Sequence, residues 1–203
     1  MPTPASDVTV VHGLPEPMRA DAVRLYDEAF GAKYAVAIPD GDQRLGLLHD
    51  ALTLGFAFGA VVEGRLAGLA GYKTEAGALT DGLTYRALVR RCGVVRGTWA
   101  ALVFSFYERG LNPGELLMDG IVVDAEMRGR GIGTLLLEAM AEHARSTGHR
   151  ALRLDVIETN PDARRLYERR GFVPTETSSF GYLRWLLGFG ASTTLIRDVS
   201  TSV

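Results

Sequence analysis

Ile121-Val122-Val123-Asp124-Ala125-Glu126-Met127-Arg128-Gly129-Arg130-Gly131-Ile132-Gly133-Thr134 reads as a β-branched strand, a turn, a glycine-rich loop and the first turn of a helix. Glycines there let backbone N–H groups converge on an anion at a helix N-terminus, where unpaired amides and the macrodipole already favour negative charge. The ligand this predicts carries phosphate. Three phosphate-loop patterns compete, and spacing separates them. A Walker A loop needs a lysine after its last glycine, but Gly133 is followed by Thr134. A dinucleotide fingerprint, G-x-G-x-x-G/A, started at Gly129 ends on Thr134. The pattern that fits is R-x-x-G-x-G, carried by Arg128, Gly131 and Gly133.

The segments around this loop alternate between strand and helix patterns. Glu115 to Val123 predicts the strand that feeds it. Gly131 to Thr147 predicts a helix with Ile132, Leu135, Leu136, Ala139 and Met140 inward, and Ala151 to Ile157 another strand. Asn160-Pro161-Asp162-Ala163-Arg164-Arg165-Leu166-Tyr167-Glu168-Arg169-Arg170-Gly171-Phe172 is a helix with legible ends: Asn160 as N-cap, Pro161 at the first helical position, Gly171 just past the last. Upstream come a strand at Val8–Val11, a helix over Pro17–Phe30, and a helix over Gly41–Leu52 with Leu45, Leu48 and Leu52 on one side. Phe56 to Val62 and Leu66 to Lys73 form a hairpin about Glu63-Gly64-Arg65. A strand over Phe172–Thr177, a helix over Tyr182–Leu187 and a strand over Ser192–Asp198 complete the chain.

Residues 75–114 differ in character. Two helical patterns, separated by Gly93 and Gly97, place Tyr85, Leu88, Val89 and Cys92 on one face and Trp99, Leu102, Val103 and Phe106 on another. Between residues 80 and 110, Arg86, Arg90, Arg91, Arg96 and Arg109 outnumber Asp81 and Glu108, so the segment is locally basic.

The chain has 203 residues, 47% hydrophobic and 23% charged, which suits one domain over residues 1–203 with a proper core and excludes disorder, collagen and coiled coil. Its net charge of −2 divides evenly: 11 basic and 12 acidic residues lie on each side of Pro113. No basic domain stands out, so nucleic acid is not expected as a partner. The single cysteine, Cys92, fits a reducing cytoplasm and leaves no cysteine metal site. No signal peptide and no apolar run of membrane-spanning length are read, and a cytoplasmic protein is expected. His12, His49 and His149 lack metal-ligand spacing, His143 reads as a part-buried helix residue, and no metal is assigned.

On the R-x-x-G-x-G loop together with the Asn160–Phe172 segment, the chain resembles the Gcn5-related N-acetyltransferase (GNAT) superfamily. The likeness runs from Val8 to Thr177 and is strongest from Leu116 to Val173. It implies an α/β fold with a mixed central sheet of six to seven strands flanked by helices, residues 75–114 being a helical insertion between the third and fourth strands. It implies acetyl-CoA as co-substrate of an N-acetyltransferase that moves acetyl directly to a primary amine in a ternary complex. Backbone of Ile121, Val122 and Val123 would hold the pantetheine arm like an added strand. Amides from Arg128, Gly129, Arg130, Gly131, Ile132, Gly133 and Thr134 would take the pyrophosphate. Asn160 and Tyr167 would flank the arm, with Tyr167 as general acid toward the departing thiolate. A non-catalytic acetyl-CoA sensor on the same fold is the rival expectation.

The same residues have plainer roles available. Asn160 caps a helix with or without a ligand, Tyr167 can pack beside Leu166, and Cys92 can be core. For the general base, strict alternation puts Glu115, Leu117, Asp119, Ile121 and Val123 on one side of their strand. Asp119 is preferred over Glu115 as nearer the reacting centre, with capping of a neighbouring amide as the competing role. The resemblance places the acceptor, a small-molecule or peptide amine, near Ala29–Arg44 and Ser178–Ala191. Residues 75–114 would serve there as a lid, a homodimer contact or a basic amphipathic surface, the first two ranking ahead. The preference for arginine, with Lys33 and Lys73 as the only lysines, is read as genome composition.

Overall fold

The computed structural model describes residues 8–181, 184 and 188–200. Its strands are β1 (Val8–His12), β2 (Ala57–Val62), β3 (Arg65–Thr74), a two-residue β4 (Gly77–Ala78), β5 (Glu115–Val123), β6 (Ala151–Ile157), β7 (Val173–Ser179) and β8 (Ala191–Asp198). The helices are α1 (Arg19–Ala35), α2 (Gly41–Ala51), α3 (Tyr85–Ser105), α4 (Ile132–Ser146) and α5 (Pro161–Arg169). All the strands join one mixed sheet in the order β1-β2-β3-β5-β6-β8-β7, with β4 beside β3. The expected architecture is present, wider by the short β4. The expected helix Tyr182–Leu187 falls, except for residue 184, outside the described residues.

One face of the sheet carries α4, whose Ile132, Leu136, Leu137, Met140, Ala141 and Ala144 form a core with Leu116, Met118, Leu152, Leu154, Tyr167 and Phe172. The expected inward set missed Leu137 and overrated Leu135 and Ala139, which are only part-buried. The opposite face carries α1, where Ala22, Val23, Leu25 and Tyr26 pack on Leu66, Leu69 and Val122. In α2 the buried side is Leu47, Leu48 and Ala51, whereas Leu45 faces outward.

Residues 85–105 form a kinked helical hairpin. Gly93, at φ 79° and ψ 166°, reverses the chain, which glycine alone tolerates readily. Gly97 does not break its helix. It lets the second half press on the first, where a Cβ would lie 2.6 Å from Val89 Cα. That close approach corrects the predicted face in part: Val103 turns inward as expected, together with Gly97 and Ala100, whereas Trp99, Leu102 and Phe106 are 44%, 53% and 40% exposed. Tyr85, expected on one face with Leu88, Val89 and Cys92, is 54% exposed and hydrogen-bonds Thr98 across the hairpin. Leu88, Ala100 and Val103 pack against Ala37, Ile38 and Leu47. No helix among the described residues is long and apolar enough to cross a membrane.

Candidate active site

Two departures from a regular sheet make the site. The first lies between β5 and β6, the parallel pair. Only Glu115, Leu116 and Leu117 pair with Ala151, Leu152 and Arg153; beyond them the strands diverge. The β6-facing edge of β5 past Leu117 therefore has no strand partner among the described residues, and an extended ligand can add there as a strand would.

The second is a β-bulge. Met118 pairs with Tyr72 and Gly120 with Gly71, leaving Asp119 without an opposite residue in β3. The extra residue shifts the alternation. Leu116, Met118, Ile121 and Val123 all pack on the α4 core, whereas Val122 joins the α1 core. The expected common side for Glu115, Leu117, Asp119, Ile121 and Val123 is thus corrected: the bulge separates Asp119 from Ile121 and Val123.

Asp119 opens into a cavity of about 430 Å³ whose walls come from α1, α3, β5, β6 and the segment before β8. The three regions expected near the acceptor converge there, through Phe30, Lys33 and Tyr34 of α1, Thr80 to Arg109 around α3, and Phe189. Asp119 is exposed to solvent, with its carboxylate in the cavity and partly desolvated by the walls around it. Burial raises its pKa above the ordinary carboxylate range, against a hydrogen bond from Thr80 Oγ1 and the positive charges of Lys33 and Lys73. Glu115, the other base candidate, is engaged elsewhere: it meets Arg153 at 3.3 Å and accepts from Asn112 Nδ2 at 2.8 Å. It is not among the cavity walls.

The glycine loop lies beyond the other end of β5. Gly131, left-handed at φ 80°, is the N-cap of α4 and supplies no side-chain cap; the first turn also lacks an acidic residue. By contrast Asp40, Thr84 and Asn160 cap α2, α3 and α5. A Cβ at Gly129 or Gly131 would meet nothing within 4 Å, and one at Gly133 would only touch Leu166 and Val123 at 3.8 Å. The space before these amides is open, as an anion cradle requires. Arg128 does not reach into it: its Nε donates to Val123 O at 3.3 Å.

Asn160 performs its plainer role, its Oδ1 accepting from Ala163 N at 3.2 Å. Tyr167 is 7% exposed, its ring 5.8 Å from that of Phe172, and burial pushes its hydroxyl up to about 12. It is a neutral phenol at physiological pH. No group of metal-ligating side chains is found among the described residues.

The model of the acetyltransferase (GNAT) family matches residues 19–172, from α1 to the start of β7. The chain belongs to the GNAT family. This GNAT chain is 42% identical over 64 residues to the uncharacterized N-acetyltransferase MJ1207 of Methanocaldococcus jannaschii. That alignment covers 32% of this chain and 28% of the relative, so the shared stretch is under a third of either protein. In structure the GNAT chain is similar to an N-acetyltransferase from Staphylococcus aureus Mu50, with TM-score 0.63, 19% identity, and coverage of 93% of this chain and 99% of that one. It is also similar to the ribosomal-protein-S18-alanine N-acetyltransferase from Escherichia coli, with TM-score 0.56, 16% identity and coverage of 97% and 96%. At such identities the likeness is one of fold.

Sequence reasoning missed Lys33, Thr80, Phe104 and Tyr107, all lining the cavity. One signal was available: the chain's only two lysines, Lys33 and Lys73, both lie there.

Proposed function

We propose that the protein is an acetyl-CoA-dependent N-acetyltransferase acting on a primary amine in a ternary complex. The observation that carries this reading is the continuity of the site: an uncapped, glycine-fronted helix N-terminus at one end of β5 and a solvent-reached carboxylate at its bulge, with the unpaired strand edge between them.

Acetyl-CoA, when bound, supplies a thioester carbonyl as the electrophile. The pyrophosphate takes hydrogen bonds from amides of Arg128, Gly129, Arg130, Gly131, Ile132, Gly133 and Thr134, on backbone whose glycines leave room for it. Main chain of Ile121, Val122 and Val123 holds the pantetheine along the open edge of β5, and an N–H there stabilises the carbonyl oxygen as it gains charge. Asp119 accepts the proton of the attacking amine, through water; its raised pKa brings it nearer to the operating pH than an ordinary aspartate. The amine nitrogen forms its bond to the carbonyl carbon, the carbon–sulfur bond breaks, and the thiolate takes the hydroxyl proton of Tyr167. Asn160 contributes by fixing the start of α5, which carries Tyr167. Glu115 positions Arg153 and is outside the proton path.

Calorimetric titration with acetyl-CoA, followed by an amine screen reading thiol release, tests this. Micromolar binding, about −8 kcal/mol, with amine-dependent thiol release supports the enzyme. Binding with no turnover on any amine supports a sensor instead, and a folded protein that does not bind overturns both.

A further inference from the structure

The charged groups of the cavity do not balance pairwise. Arg109 Nε meets Asp155 at 3.0 Å, and Asp155 also accepts from Thr194 Oγ1 at 2.5 Å. Lys73 Nζ lies 3.9 Å from Glu108 and donates to Arg109 O. Asp81 accepts from Ala78 N at 2.7 Å. Lys33 is different: its ammonium lies over the rings of Phe30 and Tyr107, 5.4 and 5.5 Å from their centroids, and it has no ion-pair partner among the described residues. Among the described residues, Asp119 has only the hydroxyl of Thr80 as a side-chain hydrogen-bond partner. Lys33 and Asp119 feel each other's charge without forming a bridge.

A cation and an anion left half-satisfied in one part-buried cavity are both unfavourable alone, and a ligand bearing the opposite charges in the same order relieves both. A zwitterion does so. Its amino end belongs at Asp119, where the chemistry proposed above needs it, and its acidic end at Lys33. Both groups line the same cavity of about 430 Å³, which suits an amine and a carboxylate carried together on one small molecule. Lysine at this position, in a chain whose other cations are arginines apart from Lys73, presents a compact point charge to one carboxylate rather than a planar fork to a larger anion. Beside these charged groups the wall also carries aromatic rings: Tyr34 and Phe104 meet edge to face at 4.9 Å, and Tyr107 lies 6.3 Å from Phe189. Those rings offer a packing surface for a bulky apolar or aromatic side chain.

We infer that the acceptor is a free α-amino acid with an aromatic or bulky apolar side chain, its carboxylate bound by Lys33 and its amine presented to Asp119. This rests on the N-acetyltransferase reading.

The test uses the full chain with acetyl-CoA and three matched amines: L-phenylalanine, phenethylamine, which lacks the carboxylate, and L-phenylalaninamide, which stands for a peptide N-terminus. Thiol release gives kcat/KM for each, and calorimetric titration of L-phenylalanine into CoA-saturated protein gives binding without turnover. L-phenylalanine is expected to exceed both analogues by more than tenfold in kcat/KM. Lys33→Gln should bring the ratios to within about threefold, and Lys33→Arg should restore part of them, which a merely structural lysine would not do. Preference for phenethylamine or the amide, or ratios unchanged in Lys33→Gln, overturns the inference while leaving an N-acetyltransferase. Lys33-dependent binding with no turnover retains the amino-acid site and overturns the catalytic reading. Absence of both binding and turnover of L-phenylalanine overturns the inference, and turnover of any other amine then keeps the enzyme reading alone.

Discussion

Thr80 Oγ1 donates a hydrogen bond of 3.1 Å to Asp119 Oδ2, tying the segment between β4 and α3 to the bulge in β5. The bond favours the charged carboxylate, against burial, which favours the neutral acid. Removing it in Thr80→Val leaves burial less opposed, so the Asp119 pKa rises further. A general base works only when deprotonated; the acidic limb of the pH–rate profile is therefore expected to move to higher pH in Thr80→Val. Asp119→Asn should lose that limb and lower kcat by roughly 10²-fold or more. An acidic limb unmoved in both variants would remove Asp119 from the proton path.

Tyr167 tests the other proton. Burial holds its hydroxyl protonated, and a neutral phenol donates to a thiolate without first acquiring a proton. Tyr167→Phe keeps the ring contact with Phe172 and removes only the donor. The expected result is a fall in kcat of about 10²-fold, with acetyl-CoA affinity within about threefold of the parent. Full turnover in this variant assigns the hydroxyl no catalytic part. An affinity loss matching the loss in rate makes it a binding group.

Gly133 separates folding from ligand binding. It is helical, and a methyl there would meet Leu166 and Val123 at 3.8 Å, ordinary contact. Gly133→Ala should therefore raise stability, by up to about 1 kcal/mol from helix propensity. Gly133 lies in the first turn of α4, whose amides take the pyrophosphate in the proposed complex, so acetyl-CoA affinity should drop by tenfold or more. Thermal unfolding and calorimetry on one sample check both signs. A variant more stable and unchanged in affinity would place the pyrophosphate elsewhere.

What the sequence disclosed follows from how local each determinant is. The loop, the N-cap Asn160 and the end at Gly171 are written in consecutive residues, and they stand where the spacing puts them. The bulge at Asp119 is not local, because it exists only as a mismatch between β5 and β3, and strict alternation therefore gave Asp119 the wrong partners. The hairpin within α3 failed for a related reason. Periodicity marked Trp99, Leu102, Val103 and Phe106 as an apolar face; Val103 is buried, but Gly97 lets the narrower side with Ala100 pack inward and leaves the other three exposed. Lys33 carried no motif at all. Its meaning comes from the rings of Phe30 and Tyr107 and from the lack of an ion-pair partner among the described residues, which only the folded arrangement reveals.

His143 provides a test of the fold independent of catalysis. Its ring lies 4.5 Å from that of His12 and 5.0 Å from that of Tyr72, and His12 Nε2 is hydrogen-bonded to Tyr72 Oη at 2.8 Å. Burial lowers the His143 pKa, with the charges of His12 and His149 acting in the same direction. A histidine whose folded pKa is depressed binds fewer protons folded than unfolded. Stability attributable to it is therefore present above the unfolded value of about 6.5 and declines as pH falls below it, until the folded pKa is passed. The melting temperature of the parent is expected to drop between pH 7 and pH 5. His143→Phe, which keeps an apolar ring beside Phe58, should show a shallower drop over that window. Equal slopes for parent and variant would mean that His143 titrates alike in the folded and unfolded chains, and that its burial has no thermodynamic consequence.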